Sequence, residues 1–193
     1  AIDLDHACGP AYCHLGRTLA ATEMVTLLSG HRLSQRALYM KALVLTPASP
    51  VPYTDLGKVL RPGETILLPN RERMNSKALY LKSIDLDASY VPAYYQLAIA
   101  LDPKERITLP GGDRATQQDL LLVSLAMGYE HATVYYMLAL GLKPGKTLML
   151  PDGAHMSKQA LFLKALDFND DISTIGLLRK IPFMLAPALH SLG

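Results

Sequence analysis

The chain has 193 residues, half of them hydrophobic, with two cysteines and a formal net charge of +2. That length suffices for one well-buried domain or a short repeat array, while two cysteines exclude a disulfide framework and so small a charge argues against a nucleic-acid or membrane surface. No apolar run approaches a bilayer span and the opening AIDLDHACGP lacks a basic start or an apolar signal core, so an intracellular, cytoplasmic setting is expected.

Residues 1–5 match residues 42–46 of the same chain, 41 positions on, and are read as the end of a helix whose start is missing. From residue 9 a unit of 41 residues repeats four times, at about 9–49, 50–90, 91–131 and 132–172. Each unit opens on a short amphipathic helix, helix A. Tyr12, Leu15, Gly16 and Leu19 fall at i, i+3, i+4 and i+7, one helical face, and Tyr53, Leu56, Gly57 and Leu60 repeat the pattern. So do Tyr94, Leu97, Ala98 and Leu101, then Tyr135, Leu138, Ala139 and Leu142. Pro10, Pro52 and Pro92 fall in or near the first turn, where a missing N–H costs nothing; Pro62, Pro103 and Pro144 stop the helix.

Next in each unit the period changes to two. Val25, Ile66, Ile107 and Leu148 alternate in strand fashion with Leu27, Leu68, Leu109 and Leu150. Pro69-Asn70, Pro110-Gly111-Gly112 and Pro151-Asp152-Gly153 supply turn chemistry, which predicts a β-hairpin with Leu33, Met74, Ala115 and Met156 also facing inward. Ser34, Asn75, Thr116 and Ser157 then cap a second helix, B, running to Leu45, Leu86, Met127 and Phe168. After the fourth unit, ISTIGLLRKIP starts like another A helix, but Gly176, Arg179 and Lys180 replace the tyrosine, leucine and small residue. Residues 173–193 are therefore expected to cap the array or to continue it in diverged form. A start without methionine, inside a repeat, predicts that the chain is part of a longer one.

The stretch ALYLKSIDLDASYVPAYYQLAIAL, residues 78–101, resembles the tetratricopeptide repeat. Tyr80, Ser83 and Leu86, then Tyr94, Leu97, Ala98 and Leu101, occupy that family's places, over roughly residues 1–168. The family's unit is about 34 residues, so the hairpin accounts for the excess at the A-to-B turn. The resemblance implies a mainly α fold: an α-solenoid of stacked antiparallel helix pairs, with one short β-hairpin per repeat, in a single array over 1–193. It also implies that the A helices line the concave surface. Two departures stand out: the A helices are short, and the proline that usually ends helix B is missing at Ala88 and Tyr129.

Several stretches invite a chemical reading. LGLKPGKT resembles a phosphate-cradling loop, yet Leu140 holds the required glycine position and Gly145-Lys146-Thr147 aligns with Gly63-Glu64-Thr65, where the lysine is a glutamate. It reads as a structural turn. His6, Cys8, Cys13 and His14 are ligand types that zinc prefers, but their spacing is not a standard one and only one repeat carries them, so ordinary thiols are preferred. No nucleophile–base grouping or cofactor loop stands out, and the expectation is a protein that is not an enzyme, with no cofactor and no metal.

The preferred function is an interaction scaffold binding a protein or peptide in the groove of the A helices. Residues off the buried stripe would line it: Cys13, His14 and Arg17, then Thr54, Asp55 and Lys58, then Tyr95, Gln96 and Ile99, then Tyr136, Met137 and Leu140. Arg17 and Lys58 make one half basic; Tyr95, Ile99, Tyr136, Met137 and Leu140 make the other apolar and exposed, suited to a ligand acidic at one end and apolar at the other. The rival reading is a helical repeat that binds nucleic acid or another anionic partner along a basic hairpin edge, the column Arg32, Arg73, Arg114 and His155. Cross-strand pairing of that column with Glu23, Glu64 and Glu105 is the preferred account of it. Two strands span about 9.6 Å, close to the 8–10 Å spacing of packed helices, so neighbouring hairpins could join edge to edge into one continuous sheet or stay separate.

Overall fold

The computed structural model describes residues 8–168; the segments 1–7, with His6, and 169–193, with the expected cap, lie outside the described residues. Eight helices and four hairpins follow one another in the order α1 (Gly9–Thr18), β1 (Met24–Thr26), β2 (Arg32–Ser34), α2 (Gln35–Leu45), α3 (Pro50–Lys58), β3 (Thr65–Leu67), β4 (Arg73–Asn75), α4 (Ser76–Leu86), α5 (Val91–Ala100), β5 (Arg106–Thr108), β6 (Arg114–Thr116), α6 (Gln117–Ala126), α7 (Ala132–Gly141), β7 (Thr147–Met149), β8 (His155–Ser157) and α8 (Lys158–Asp167). The chain is thus mainly helical with small antiparallel hairpins, an arrangement compatible with a helical repeat. It divides into two compact units, Ala1–Gly128 with the first three repeats and Tyr129–Gly193 with the fourth.

The punctuation read in the sequence has a physical counterpart at each helix end. The side chains of Ser34, Asn75, Thr116 and Ser157 accept the N–H of Ala37, Ala78, Asp119 and Ala160, one of the orphan donors at each B-helix start. Helix α3 begins three residues ahead of Tyr53, at Pro50, because Ser49 Oγ accepts the Val51 N–H and makes Ser49 the cap. At the other end, in the first and third repeats, the first side chain of helix B satisfies carbonyls left open by helix A. Gln35 Nε2 donates to Gly16 O at 3.0 Å and Leu19 O at 3.1 Å; Gln117 Nε2 does the same to Ala98 O and Leu101 O.

Each hairpin is its own two-stranded sheet, so the continuous sheet that strand spacing would allow does not form. The inward pairs are those the alternation predicts: Val25 opposite Leu33, Ile66 opposite Met74, Ile107 opposite Ala115 and Leu148 opposite Met156. Each turn needs one residue of positive φ, supplied by Gly30, Gly112 and Gly153 but in the second repeat by Arg71, at φ 67°.

In the first unit α1 packs on α2, α3 on α4 and α5 on α6; successive pairs meet through α2 on α3 and α4 on α5, and α1, α3 and α5 neighbour one another. A core of Tyr12, Leu38, Tyr39, Leu56 and Leu79 runs through its first two repeats. Glycine sets the helix separation there. A Cβ on Gly57 would lie 2.5 Å from Tyr80 Cε1, and one on Gly16 would collide with Tyr39 in the same way. In the second unit Tyr135 stacks on Phe168 at 5.5 Å and Tyr136 tilts against Phe162 at 5.8 Å, closing α7 onto α8.

Candidate functional site

Along the A helices, one column reads Cys13, Thr54, Tyr95 and Tyr136. Where it holds tyrosine the volume is filled: Tyr95 is 8% exposed and Tyr136 9%. The two rings expected as exposed groove aromatics are therefore buried, and the apolar surface left on that face is Ile99 in the first unit and, in the second, Leu140 with half-buried Met137. Where the column holds Cys13 a cleft of about 260 Å³ opens; Thr54, the next member, is buried and does not line it. Cys13, His14 and Arg17 line one side, Thr46, Val51 and Pro52 another, and Tyr90, the last residue of the second repeat and the N-cap of α5, a further wall.

Beside this cleft lies a buried carboxylate. Asp55 is 1% exposed, and it is held by two cations: Arg17 places Nε 2.8 Å and Nη2 2.7 Å from Oδ2, while Lys58 Nζ lies 3.3 Å from Oδ1. A buried charge survives only when paired and hydrogen-bonded, and both oxygens are served here. The cations themselves are 40% and 38% exposed, so the cluster carries one net positive charge at the surface. Next to Asp55, Thr54 Oγ1 donates to Ser83 Oγ at 2.8 Å and Ser83 Oγ donates to Pro50 O at 2.8 Å, a buried relay that ties α3 to α4.

The surroundings tune two further groups. Burial, helped by the Asp55 charge and opposed by Arg17, pushes the Cys13 thiol up to about 11. At neutral pH Cys13 is therefore a protonated, unreactive thiol. Burial and Asp55 also raise the Tyr90 hydroxyl, again with Arg17 opposing. Cys8 sits half-buried at the N-cap of α1 without a side-chain capping bond, and His14 is exposed on the turn after Cys13. Among the described residues no three His, Cys, Asp or Glu side chains gather where they would hold a metal ion.

The arginine column is not where cross-strand pairing would put it. Arg32, Arg73, Arg114 and His155 face Thr26, Leu67, Thr108 and Met149 across the hairpins, not glutamates. Glu64 instead accepts Arg36 at 2.7 Å and the Arg61 N–H; Glu105 pairs with Lys77 and accepts the Asp102 N–H; Glu23 accepts the Ala20 N–H. These acids cap the turn that follows helix A, and two of them bind the B helix of the preceding repeat. Their signal lay in the columns Arg36 with Lys77 and Glu64 with Glu105, which the cross-strand reading passed over. The Arg17–Asp55 pair was missed for a similar reason: both were placed in the groove, but a contact 38 residues apart leaves no local pattern.

The GKT segment is a turn between α7 and β7, with Gly145 at φ 74° matching Gly63 at φ 77° and Lys146 N donating to Lys143 O as Glu64 N does to Arg61 O. Among the described residues no helix is long and apolar enough to cross a membrane. Comparison with protein-family models, with curated proteins and with solved structures finds no match for this chain.

Proposed function

We propose that this chain is a non-enzymatic interaction scaffold, a tetratricopeptide-like α-solenoid that binds a peptide or partner helix on the A-helix face of its first unit. One observation carries the reading: Cys13 lines a cleft in the column that Tyr95 fills in the third repeat, and a buried Asp55 holds Arg17 at the edge of that cleft with Lys58 alongside. Pre-orienting a cation removes part of the ordering cost of binding, and a guanidinium with two N–H groups engaged by Asp55 keeps further donors for a ligand. Arg17, Lys58 and Ile99 occupy one column of three successive A helices. The ligand this surface fits is a short segment with a carboxylate toward Arg17 and Lys58 and an apolar side chain toward Ile99.

The test is selection of binding peptides from a displayed random library, followed by affinity measurement against Lys58→Glu, Ile99→Glu and His14→Glu chains. Ile99 and His14 are exposed, so those two variants keep the wild-type melting curve, whereas Lys58→Glu removes one of the two cations on buried Asp55 and is expected to melt somewhat lower. Selected peptides are expected to carry an acidic residue and to lose about tenfold or more in affinity for the Lys58 and Ile99 variants. Peptides that bind all the variants as well as wild type place the binding surface elsewhere.

A further inference from the structure

We propose that the hairpin edge of the first unit is a second docking surface, separate from the cleft, that binds an extended acidic peptide through Arg32, Arg73 and Arg114. All three arginines are exposed, on the outward side of strands whose inward residues are partly buried. None has an ion-pair or side-chain hydrogen-bond partner among the described residues. Glu23, Glu64 and Glu105, the acids expected to neutralise them, are engaged by Arg36, Lys77 and turn N–H groups. A guanidinium left unpaired three times, at the same hairpin position of three successive repeats, is a row of bidentate carboxylate sites.

Spacing selects the occupant. Adjacent A helices neighbour one another in this unit, and packed helices lie about 8–10 Å apart, which is the step the proposal takes from one arginine to the next. A polyproline II peptide rises about 3.1 Å per residue with three residues per turn, returning to the same face about every 9 Å. An acid at every third residue therefore meets one arginine per repeat. Nucleic acid fits less well. Residues 20–34, 61–75 and 102–116, which contain the three hairpins, include no Phe, Tyr or Trp on which a base would stack. Glu72 and Asp113, next in sequence to Arg73 and Arg114, would also face a strand carrying a phosphate at every nucleotide, whereas a widely spaced peptide leaves them in water.

Fluorescence anisotropy of a labelled twelve-residue Glu-Pro-Pro repeat peptide tests this, with two comparison probes: a peptide of the same composition whose glutamates are clustered at one end, and an oligo-thymidine single strand of twelve nucleotides. The repeat peptide is expected to bind most tightly of the three. Three exposed pairs are worth roughly tenfold together, so the Arg32→Ala, Arg73→Ala, Arg114→Ala triple variant is expected to bind about tenfold more weakly, with an unchanged melting curve. The corresponding triple lysine variant is expected to fall between the two. Three results overturn the proposal: no peptide binding, equal binding by the alanine variant or by the clustered peptide, or tighter binding of the oligonucleotide.

Discussion

Substituting Gly57 by alanine is the sharpest probe of how the helix pairs are held. The new methyl would sit 2.5 Å from Cε1 and 2.9 Å from Cζ of Tyr80, about 1 Å inside normal carbon contact, and Tyr80 is 4% exposed with little room to retreat. Such overpacking costs about 1–3 kcal/mol, while alanine regains about 1 kcal/mol over glycine inside a helix, so the net loss is up to about 2 kcal/mol. With Tyr80→Leu the offending ring atoms are gone, and the same Gly57→Ala change becomes stabilising by about 0.5–1 kcal/mol. The chain already contains that combination in its third repeat, Ala98 opposite Leu121, whereas the first pairs Gly16 with Tyr39. The fourth sets Ala139 opposite Phe162, a ring without a hydroxyl that leans on Tyr136. Urea unfolding followed by far-ultraviolet circular dichroism suits a chain without tryptophan. A coupling energy of about 1–3 kcal/mol is expected, with Gly57→Ala destabilising beside Tyr80 and stabilising beside leucine; additivity within about 0.5 kcal/mol would refute direct contact as the cause.

Three further outcomes follow from other features. Arg71→Gly relieves about 1–2 kcal/mol of left-handed strain at φ 67° and costs about 0.5–1 kcal/mol through the looser unfolded chain, so the urea midpoint is expected to rise slightly, by the equivalent of up to about 1.5 kcal/mol. Asp55→Asn is expected to lower stability by about 2 kcal/mol, short of the loss for a fully buried pair because Arg17 and Lys58 can turn to water; in that background Arg17→Ala adds little, and full additivity in the cycle would rule out the ion pair as the source. Cys13, with its thiol raised from 9.0 to about 11, adds stability that is fully present below pH 9 and is lost as pH rises toward 11, because the unfolded chain gives up that proton first. The Cys13→Ala chain is expected to lose less stability between pH 9 and 11 than wild type, and parallel losses in the two would contradict that linkage.

Much of this architecture can be read locally. Caps, prolines and alternation act within a few residues, so Ser34 and its equivalents mark where helix B starts, and the inward pairs of each hairpin follow from period two. Comparison of columns carried the reading further, since four copies of one unit separate a structural turn such as Gly145-Lys146-Thr147 from a phosphate loop. The site was legible only as a set of candidates. Arg17, Lys58, Tyr95 and Tyr136 all fall off the buried stripe of their own helix, but whether a side chain there meets water depends on the neighbouring helix.

By itself, then, the sequence determined the period, the order of helix, hairpin and helix, and which faces turn inward, because each of these is set by dihedral preference and by hydrogen bonds between near neighbours. Only the tertiary structure decided that Tyr95 and Tyr136 are buried while Cys13 lines a cleft, that Asp55 joins Arg17 across two repeats, and that the hairpins stay separate. Those outcomes depend on the distance between elements. That distance is set by the size of residues such as Gly57 and Tyr80, where two side chains far apart in sequence compete for one space.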